Sequence, residues 1–329
     1  MGELHVDSDR KWRIVYLEVV PPDIAEIIAS RLPPSLQLSF VKDYSDEAAK
    51  SALAEADFAL VATHPMPAKL IKAGRRLRMI QHQGVGYDKT DVKFAKGQGV
   101  PVALCPEGTI RGVAEHVFLL ILALYKQIFQ ADLSLRRGEW RQFSLRANSF
   151  EIAGKVLGIL GLGRIGEAVA RRAVSFEAEV CYFDIDRRSE VEEHKLGVAF
   201  KPLMELLEVS DIVSLHLPIT PETYHIIDSN ALGLMRVGSI LINTARGELV
   251  DQQALVKALQ NGQLGGAGLD VFETEPPNPD DPLLKMPNVV LTPHISAGTR
   301  DALITKMDAA FANIIRVTRG EPPLHIVEG

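Results

Sequence analysis

The sequence contains very little cysteine. Only Cys105 and Cys181 occur in 329 residues, and both lie in apolar contexts typical of strands. Two thiols are too few for the disulfide framework of a small secreted domain. We therefore expect two reduced thiols in the core of a cytoplasmic protein.

Long basic runs and long apolar runs are also missing. Acidic residues outnumber basic ones by 42 to 36, for a net charge of -6, and no Lys/Arg run could follow a phosphate backbone. The longest apolar stretch, VAEHVFLLILALY, carries Glu115 and His116 and is too short to cross a bilayer. The start, MGELHVDSDRKW, has no apolar core and fails the myristoylation pattern at position six. We expect no nucleic-acid partner, no membrane span and no signal peptide.

What the sequence does contain is two series of strands separated by single helices. The first series ends near Cys105, and a long helix is predicted from about Thr109 to Tyr125. An irregular polar segment follows, from KQIFQ to EIAG, and the second series begins with KVLGILGLGRIG. Alternating strands and helices predict parallel sheets, and this length favours two domains. The fold class is therefore α/β, with two doubly wound parallel-sheet domains.

A dinucleotide-binding motif opens the second series. Gly161, Gly163 and Gly166 form G-x-G-x-x-G directly after a predicted strand and directly before a predicted helix. Gly161 permits a tight turn, Gly163 lets the backbone approach a pyrophosphate, and Gly166 lets helix and strand pack closely. This context makes the motif much more specific than the glycines alone.

An acidic residue at the end of the next strand indicates the cofactor. Asp184 lies 21 residues after Gly163, near the separation expected for an acid that binds the adenosine ribose. An acid there favours NAD over NADP, because it repels a 2′-phosphate. Arg187 and Arg188 follow closely and leave NADP open as the less favoured cofactor.

Three reactive side chains follow later strands. Arg246 comes after SILINT, Glu275 after LDVF and His294 after LTP, where open α/β sheets bind their ligands. A guanidinium matches a carboxylate bidentately, a histidine transfers the hydroxyl proton that accompanies a hydride, and a carboxylate orients the imidazole. Glu273 is a rival for the acid role. Together these residues predict a hydroxy-acid dehydrogenase site without a metal.

Several longer blocks resemble one family, the D-isomer-specific 2-hydroxyacid dehydrogenases. GLGRIG, LHLPITPET, INTARGELVD, GLDVFETEP and LTPHISAG are similar to the signature blocks of that family and occur in its order. The resemblance covers nearly the whole chain. A set of blocks in order is far more specific than any one of them.

The resemblance implies a domain arrangement. A flavodoxin-like substrate domain would comprise residues 1–106 and 297–329, with a Rossmann NAD-binding domain, 107–296, inserted and the active site in the cleft between them. Residues 127–150, approximately, resemble the arm that joins two subunits, with Trp140 reaching the partner's active site. A homodimer follows as a hypothesis.

The resemblance also implies roles for individual residues. Arg246 would bind the carboxylate and carbonyl of the substrate, His294 would be the general acid/base, and Glu275, rather than Glu273, its partner. Val85 and Gly86 would bind the substrate carboxylate through backbone N–H groups. Asp270 would hold the nicotinamide carboxamide, and the other cofactor-binding residues would be Arg164, Ile165, His216, Pro218, Thr244, Ala245 and Gly298.

The chain departs from the family pattern before the long helix. Where members commonly have Pro-Gly, this sequence reads CPEGTIRGVAEH, which adds Glu107 and Arg111. Both fit a solvated helix start, and Arg111 has the alternative of contacting a second anionic group on the substrate. His64, in ATHPMP, either lines the substrate pocket or is a loop histidine.

The predicted function is hydride transfer between NAD(H) and a small 2-keto acid or D-2-hydroxy acid. A glyoxylate or hydroxypyruvate reductase fits, as does a phosphoglycerate dehydrogenase without a regulatory domain. An NAD-responsive corepressor with a dehydrogenase fold is the alternative from a different class. Formate oxidation is less favoured, because that branch resembles Gln rather than Glu beside the histidine.

Overall fold

A computed structural model describes residues 11–328 of the chain. Two compact units are present: one runs to Thr109 and resumes at Arg300, and the other is Ile110–Thr299. Each unit is built on one parallel sheet, so the predicted α/β class is confirmed. Residues 1–10, on which the signal-peptide and myristoylation expectations rest, lie outside the described residues.

The first unit has five parallel strands: β1 (Trp12–Tyr16), β2 (Leu36–Phe40), β3 (Phe58–Val61), β4 (Met79–His82) and β5 (Val102–Ala103). Their order in the sheet is β2-β1-β3-β4-β5, which is the flavodoxin-like order. The helices of this unit are α1 (Pro22–Ala29), α2 (Asp46–Ala54), α3 (Ala68–Ile71), α4 (Val92–Gly97) and α12 (Arg300–Thr318).

The last helix is part of the core of the first unit. Met307, Phe311 and Ile314 on α12 are buried in one hydrophobic cluster with Ile14 of β1 and Phe58 of β3. Burial of large apolar side chains is the main favourable term in folding. The first unit is therefore completed by residues from the C-terminal end of the chain.

The second unit has seven parallel strands: β6 (Val156–Leu160), β7 (Glu179–Phe183), β8 (Val198–Phe200), β9 (Ile212–Leu215), β10 (Ser239–Asn243), β11 (Leu264–Leu269) and β12 (Val289–Leu291). Their order is β12-β11-β10-β9-β6-β7-β8. The chain leaves β6 toward β7 on one side and returns to β9 on the other, which is the Rossmann switch point where dinucleotides bind.

Seven helices accompany this sheet: α5 (Thr109–Tyr125), α6 (Ile128–Arg136), α7 (Arg164–Ser175), α8 (Glu190–Leu196), α9 (Leu203–Val209), α10 (Ser229–Leu234) and α11 (Gln252–Gln260). Helix α5 has the predicted bounds. Helix α8 shows how local sequence fixes an element, since Ser189 and Glu192 form a capping box and Gly197 ends the helix with φ of 71°. Both cysteines are buried and free, as predicted.

The prediction of an irregular segment after α5 is wrong for Ile128–Arg136, which form α6. The helix is hard to recognise because its apolar residues do not mark a buried face: Phe129 is 64% exposed and Leu135 59%. Apolar periodicity is the main sequence signal for a helix that packs on a core. That signal is missing when the apolar side chains are exposed.

No single helix within residues 11–328 is long and apolar enough to cross a membrane. Helices α5 and α6 together meet the criteria of length and composition, but the pair is bent by 59° at the break between them.

Candidate active site

The three motif glycines form the turn between β6 and α7, and each has a different surrounding. Gly161 has φ of 94°, and a Cβ there would lie 2.7 Å from the carbonyl oxygen of His216. A Cβ on Gly166 would lie 2.0 Å from the carbonyl oxygen of Gly161, whereas a Cβ on Gly163 would meet no atom within 4 Å. The backbone packing of the turn thus requires glycine at positions 161 and 166, whereas position 163 faces open space.

This turn fits the pyrophosphate of a dinucleotide. Gly163 is the N-cap of α7, and no described side chain caps the helix there. Uncapped helix N-termini bind phosphate through their N–H groups and dipole. Thr244, which follows β10 at the same edge of the sheet, has a buried Oγ1 that lacks a hydrogen-bond partner among the described residues. These features fit a bound NAD.

Asp184 follows β7 and braces the glycine turn. Its Oδ2 accepts the N–H of Leu162 at 2.7 Å. Arg187 is paired with Glu193 at 3.0 Å, and Arg188 donates to the carbonyl oxygen of Leu162 at 3.0 Å. Both arginines therefore already have partners within the protein, which weakens the argument that they bind the 2′-phosphate of NADP.

His216 follows β9 beside the glycine turn, and its Nε2 lies 2.9 Å from Ser214 Oγ. Burial lowers the pKa of His216 to about 3, so its imidazole is neutral at ordinary pH. Pro218 is exposed, and its carbonyl oxygen accepts Thr223 Oγ1 at 2.7 Å.

Arg246 lies at the end of β10 because the side chain of Asn243 closes the turn between them. Asn243 Nδ2 donates to the carbonyl oxygen of Arg246 at 2.7 Å, and Asn243 Oδ1 accepts the N–H of Ala245 at 3.0 Å. Arg246 Nη1 donates to the Ala245 carbonyl at 2.7 Å. Arg246 as a whole is half-buried.

Glu275 and His294 form a hydrogen-bonded pair. His294 Nδ1 lies 2.9 Å from Glu275 Oε2, and Phe272 N donates to Glu275 Oε1 at 3.3 Å. The His294 side chain is 39% exposed and that of Glu275 26%. His294 adopts φ of 53°, a left-handed conformation that is uncommon outside glycine. Because Glu275 occupies Nδ1, Nε2 is the ring nitrogen left to exchange a proton with a substrate.

Glu273, the rival acid, lies against another histidine. Its Oε1 is 2.6 Å from Nε2 of His225. The geometry therefore supports Glu275 as the partner of His294.

The Asp270 carboxylate organises the loop that carries His294. It is fully buried and accepts hydrogen bonds from Thr292 Oγ1 at 2.6 Å and from the N–H groups of Ile295 and Ser296 at 2.8 Å. His116 Nε2, on α5, lies 2.9 Å from Thr292 Oγ1. Asp270 thus has a structural task, and its contact with a nicotinamide carboxamide stays a prediction.

The remaining predicted cofactor residues belong to the same unit. Arg164 and Ile165 begin α7, and Ile165 packs partly against the core. Ala245 is half-buried next to Arg246, and Gly298 donates its N–H to the Ile295 carbonyl at 2.7 Å.

The predicted substrate-binding residues of the first unit lie after β4. Val85 is 41% exposed, and Gly86 lies beside it in the same loop. After β3, His64 is buried and stacks on Tyr44 with 6.1 Å between ring centroids. His64 is therefore surrounded by other residues of the first unit rather than by solvent.

Glu107 and Arg111 differ in their surroundings. Glu107 Oε1 lies 3.3 Å from His325 Nε2, so this acid contacts the C-terminal tail and is more than a solvated helix start. Arg111 is exposed on α5.

Two residues that organise these loops were missed in the sequence. Glu18 is buried after β1 and accepts the N–H groups of Ala62, Thr63 and His64 at 3.1, 2.5 and 2.9 Å. The second missed residue is His225, whose Nε2 lies 2.6 Å from Glu273 Oε1. An acidic residue at the end of an apolar strand is a signal by which Glu18 could have been found. Neither residue, however, belongs to a sequence motif that identifies its hydrogen-bond partner.

Comparison with known proteins gives consistent matches. Residues 118–296 match the family model described as D-isomer specific 2-hydroxyacid dehydrogenase, NAD binding domain. The glyoxylate reductase of Korarchaeum cryptofilum is 43% identical over 267 residues, covering 80% of each chain.

Solved structures agree with this match. The D-lactate dehydrogenase of Aquifex aeolicus, complexed with NAD and lactic acid, has a TM-score of 0.83 at 30% identity, over 94% of this chain and 96% of that one. An acyclic imino acid reductase in complex with NADPH and D-Arg has a TM-score of 0.82 at 30% identity, over 96% and 100%.

Proposed function

Because the chain belongs to the D-isomer-specific 2-hydroxyacid dehydrogenase family, we propose that it reduces glyoxylate, or a 2-keto acid of similar size, with NADH. Its reaction is NAD-dependent hydride transfer between a 2-keto acid and a 2-hydroxy acid. The observation that carries the proposal is the His294–Glu275 pair at 2.9 Å, at the same sheet edge as Arg246. The similarity to glyoxylate reductases supports the choice of substrate.

Three side chains have different roles in the proposed reaction. Arg246 binds the substrate carboxylate, since its planar fork of donors matches the two oxygens. NADH, when bound, supplies the hydride that reduces the keto carbon. His294 donates the Nε2 proton to the carbonyl oxygen, which becomes the hydroxyl of the product. Glu275 holds Nδ1 of the ring and stabilises the imidazolium form that must precede this step.

The glycine turn and Asp184 hold the cofactor in this proposal. Gly161, Gly163 and Gly166 shape the pyrophosphate site, and Asp184 selects the ribose hydroxyls of NAD. The pairing of Arg187 with Glu193 supports NAD as the physiological cofactor.

The first unit serves as the substrate domain in this proposal, and Val85 and Gly86 are its candidate substrate-binding residues. We place the enzyme in the cytoplasm, because both thiols are buried and free. The arm, residues 127–150, joins two copies into a homodimer. Its exposed aromatic side chains support this, since Phe129, Trp140 and Phe143 are 64%, 77% and 72% exposed.

The test is loss of NADH absorbance, and separately of NADPH absorbance, with glyoxylate, hydroxypyruvate, pyruvate, phenylpyruvate and phosphohydroxypyruvate. We expect rapid turnover of glyoxylate or hydroxypyruvate with NADH. His294→Ala is the control that retains cofactor binding. A folded, NADH-binding protein that turns over none of these acids would contradict the proposal, and preference for phosphohydroxypyruvate would identify a phosphoglycerate dehydrogenase.

A further inference from the structure

A second histidine–carboxylate pair lies close to the candidate active site. His225 Nε2 is 2.6 Å from Glu273 Oε1, and the side chains are 28% and 31% exposed. Glu273 Oε1 also accepts the N–H of Gln252 at 3.4 Å. The role proposed above for Glu275 and His294 leaves this pair without a function.

His225 is attached to the segment that carries Arg246. Its N–H donates to the carbonyl oxygen of Glu248 at 2.9 Å, and Ile227 N donates to that of Leu249 at 3.0 Å. Glu248 and Leu249 belong to the 3-10 turn Gly247–Leu249, which begins directly after Arg246. His225 therefore lies one backbone hydrogen bond from the arginine segment, which we define as residues 246–251.

Glu273 is attached to the segment that carries Glu275. Phe272 and Glu273 lie so close to Gly247 that a Cβ on this glycine would come within 1.9 Å of the Phe272 carbonyl carbon and 2.3 Å of Glu273 N. Phe272 N also donates to Glu275 Oε1. The acid segment, residues 272–275, is thus packed on the arginine segment and orients the partner of His294.

We infer that His225 and Glu273 are positioning residues, whose hydrogen bond locks the arginine segment and the acid segment in the geometry required for catalysis. The pair joins side chains 48 residues apart in sequence and links the two segments beside the close backbone contact at Gly247. Loops need such supporting contacts to hold a site to within a fraction of an ångström. Small displacements of reacting groups cost large factors in rate.

Hydrogen exchange tests the inference directly and does not depend on the substrate. In His225→Ala and in Glu273→Ala we expect faster amide exchange in both segments, 246–251 and 272–275, with unchanged exchange in α7. His225→Gln and Glu273→Gln retain a donor and an acceptor, respectively, and should restore slow exchange. Unchanged exchange in both segments of the alanine variants would overturn the inference.

Kinetics provide the second test, which rests on the proposed function. We expect each alanine variant to lower kcat/KM for the keto acid roughly tenfold or more, through both KM and kcat, while the Kd for NADH stays within about twofold. The double variant should lose little more than either single variant, since the residues act as a unit. His194→Ala and Glu205→Ala, both exposed in the same unit, are the matched controls.

The two failures are distinguishable. If the wild-type protein reduces no keto acid, the proposed function fails and hydrogen exchange alone decides the role of the pair. If the wild-type protein is active and the folded alanine variants retain its kcat and KM, the positioning role is refuted even where their Tm is lower.

Discussion

At the scale of single residues, the pair formed by His294 and Glu275 determines the expected kinetics. His294→Ala removes the proposed proton donor, so kcat should fall by about 10²–10⁴-fold. Glu275→Gln keeps an acceptor for Nδ1–H but removes the charge that stabilises imidazolium, so a smaller fall, roughly tenfold or more, is expected. Steady-state kinetics measure both effects, and a fluorescence titration should show unchanged NADH affinity. Equal activity of His294→Ala and wild type would exclude His294 as the acid.

His82 makes the first unit sensitive to acid. It is 3% exposed, its Nε2 lies 3.0 Å from Thr90 Oγ1, and burial lowers its pKa from 6.5 to about 4. Between pH 6.5 and about pH 4, His82 is therefore protonated in the unfolded chain and neutral in the folded chain. Stability from this residue is fully present above the unfolded pKa and is lost as the pH falls toward 4.

The measurement is the free energy of unfolding of wild type and His82→Gln at about pH 7 and about pH 5. Glutamine does not titrate, so the advantage of wild type should shrink by on the order of 2 kcal/mol at the lower pH. A constant difference for His82→Gln would contradict the assigned cause.

At the scale of elements, two glycines in the turn between β6 and α7 should affect different properties. One should affect cofactor binding and the other the stability of the fold. Gly163→Val places a side chain where no protein atom lies within 4 Å, so it should raise the Kd for NADH while Tm is nearly unchanged. Gly166→Ala would bring a Cβ within 2.0 Å of the Gly161 carbonyl oxygen. It should lower stability by about 1–3 kcal/mol, although alanine ordinarily favours helices. Thermal unfolding and NADH titration of both variants check this, and the reverse ranking would contradict it.

Much of the second unit could be predicted because its elements carry local signals. The strand SILIN is buried throughout, and buried parallel strands are continuous apolar runs. The positions of Arg246, Glu275 and His294 followed from the rule that parallel strands present their carboxyl ends at one edge. What could not be predicted depends on contacts distant in sequence, such as that between His225 and Glu273. Helix α6 was missed because its apolar side chains are exposed.

At the scale of the whole molecule, the arm determines the expected assembly. Light scattering should give twice the mass of one chain for wild type. Phe129→Glu and Leu135→Glu place charges at positions 64% and 59% exposed on α6, and should yield monomers if the arm forms the interface. Val237→Glu, at a position 80% exposed outside the arm, should remain a dimer. A monomeric wild-type protein would refute the homodimer.

The part played by α12 in the core of the first unit has a consequence for synthesis on the ribosome. Met307, Phe311 and Ile314 are translated after the whole second unit, yet they pack with Ile14 and Phe58, which are translated before it. The second unit, Ile110–Thr299, is continuous in sequence and needs no later residues to close its sheet. We therefore expect the usual order, in which the N-terminal part folds first, to be reversed: the sheet of the second unit forms first, and the sheet of the first unit keeps part of its core uncovered until α12 has been synthesised.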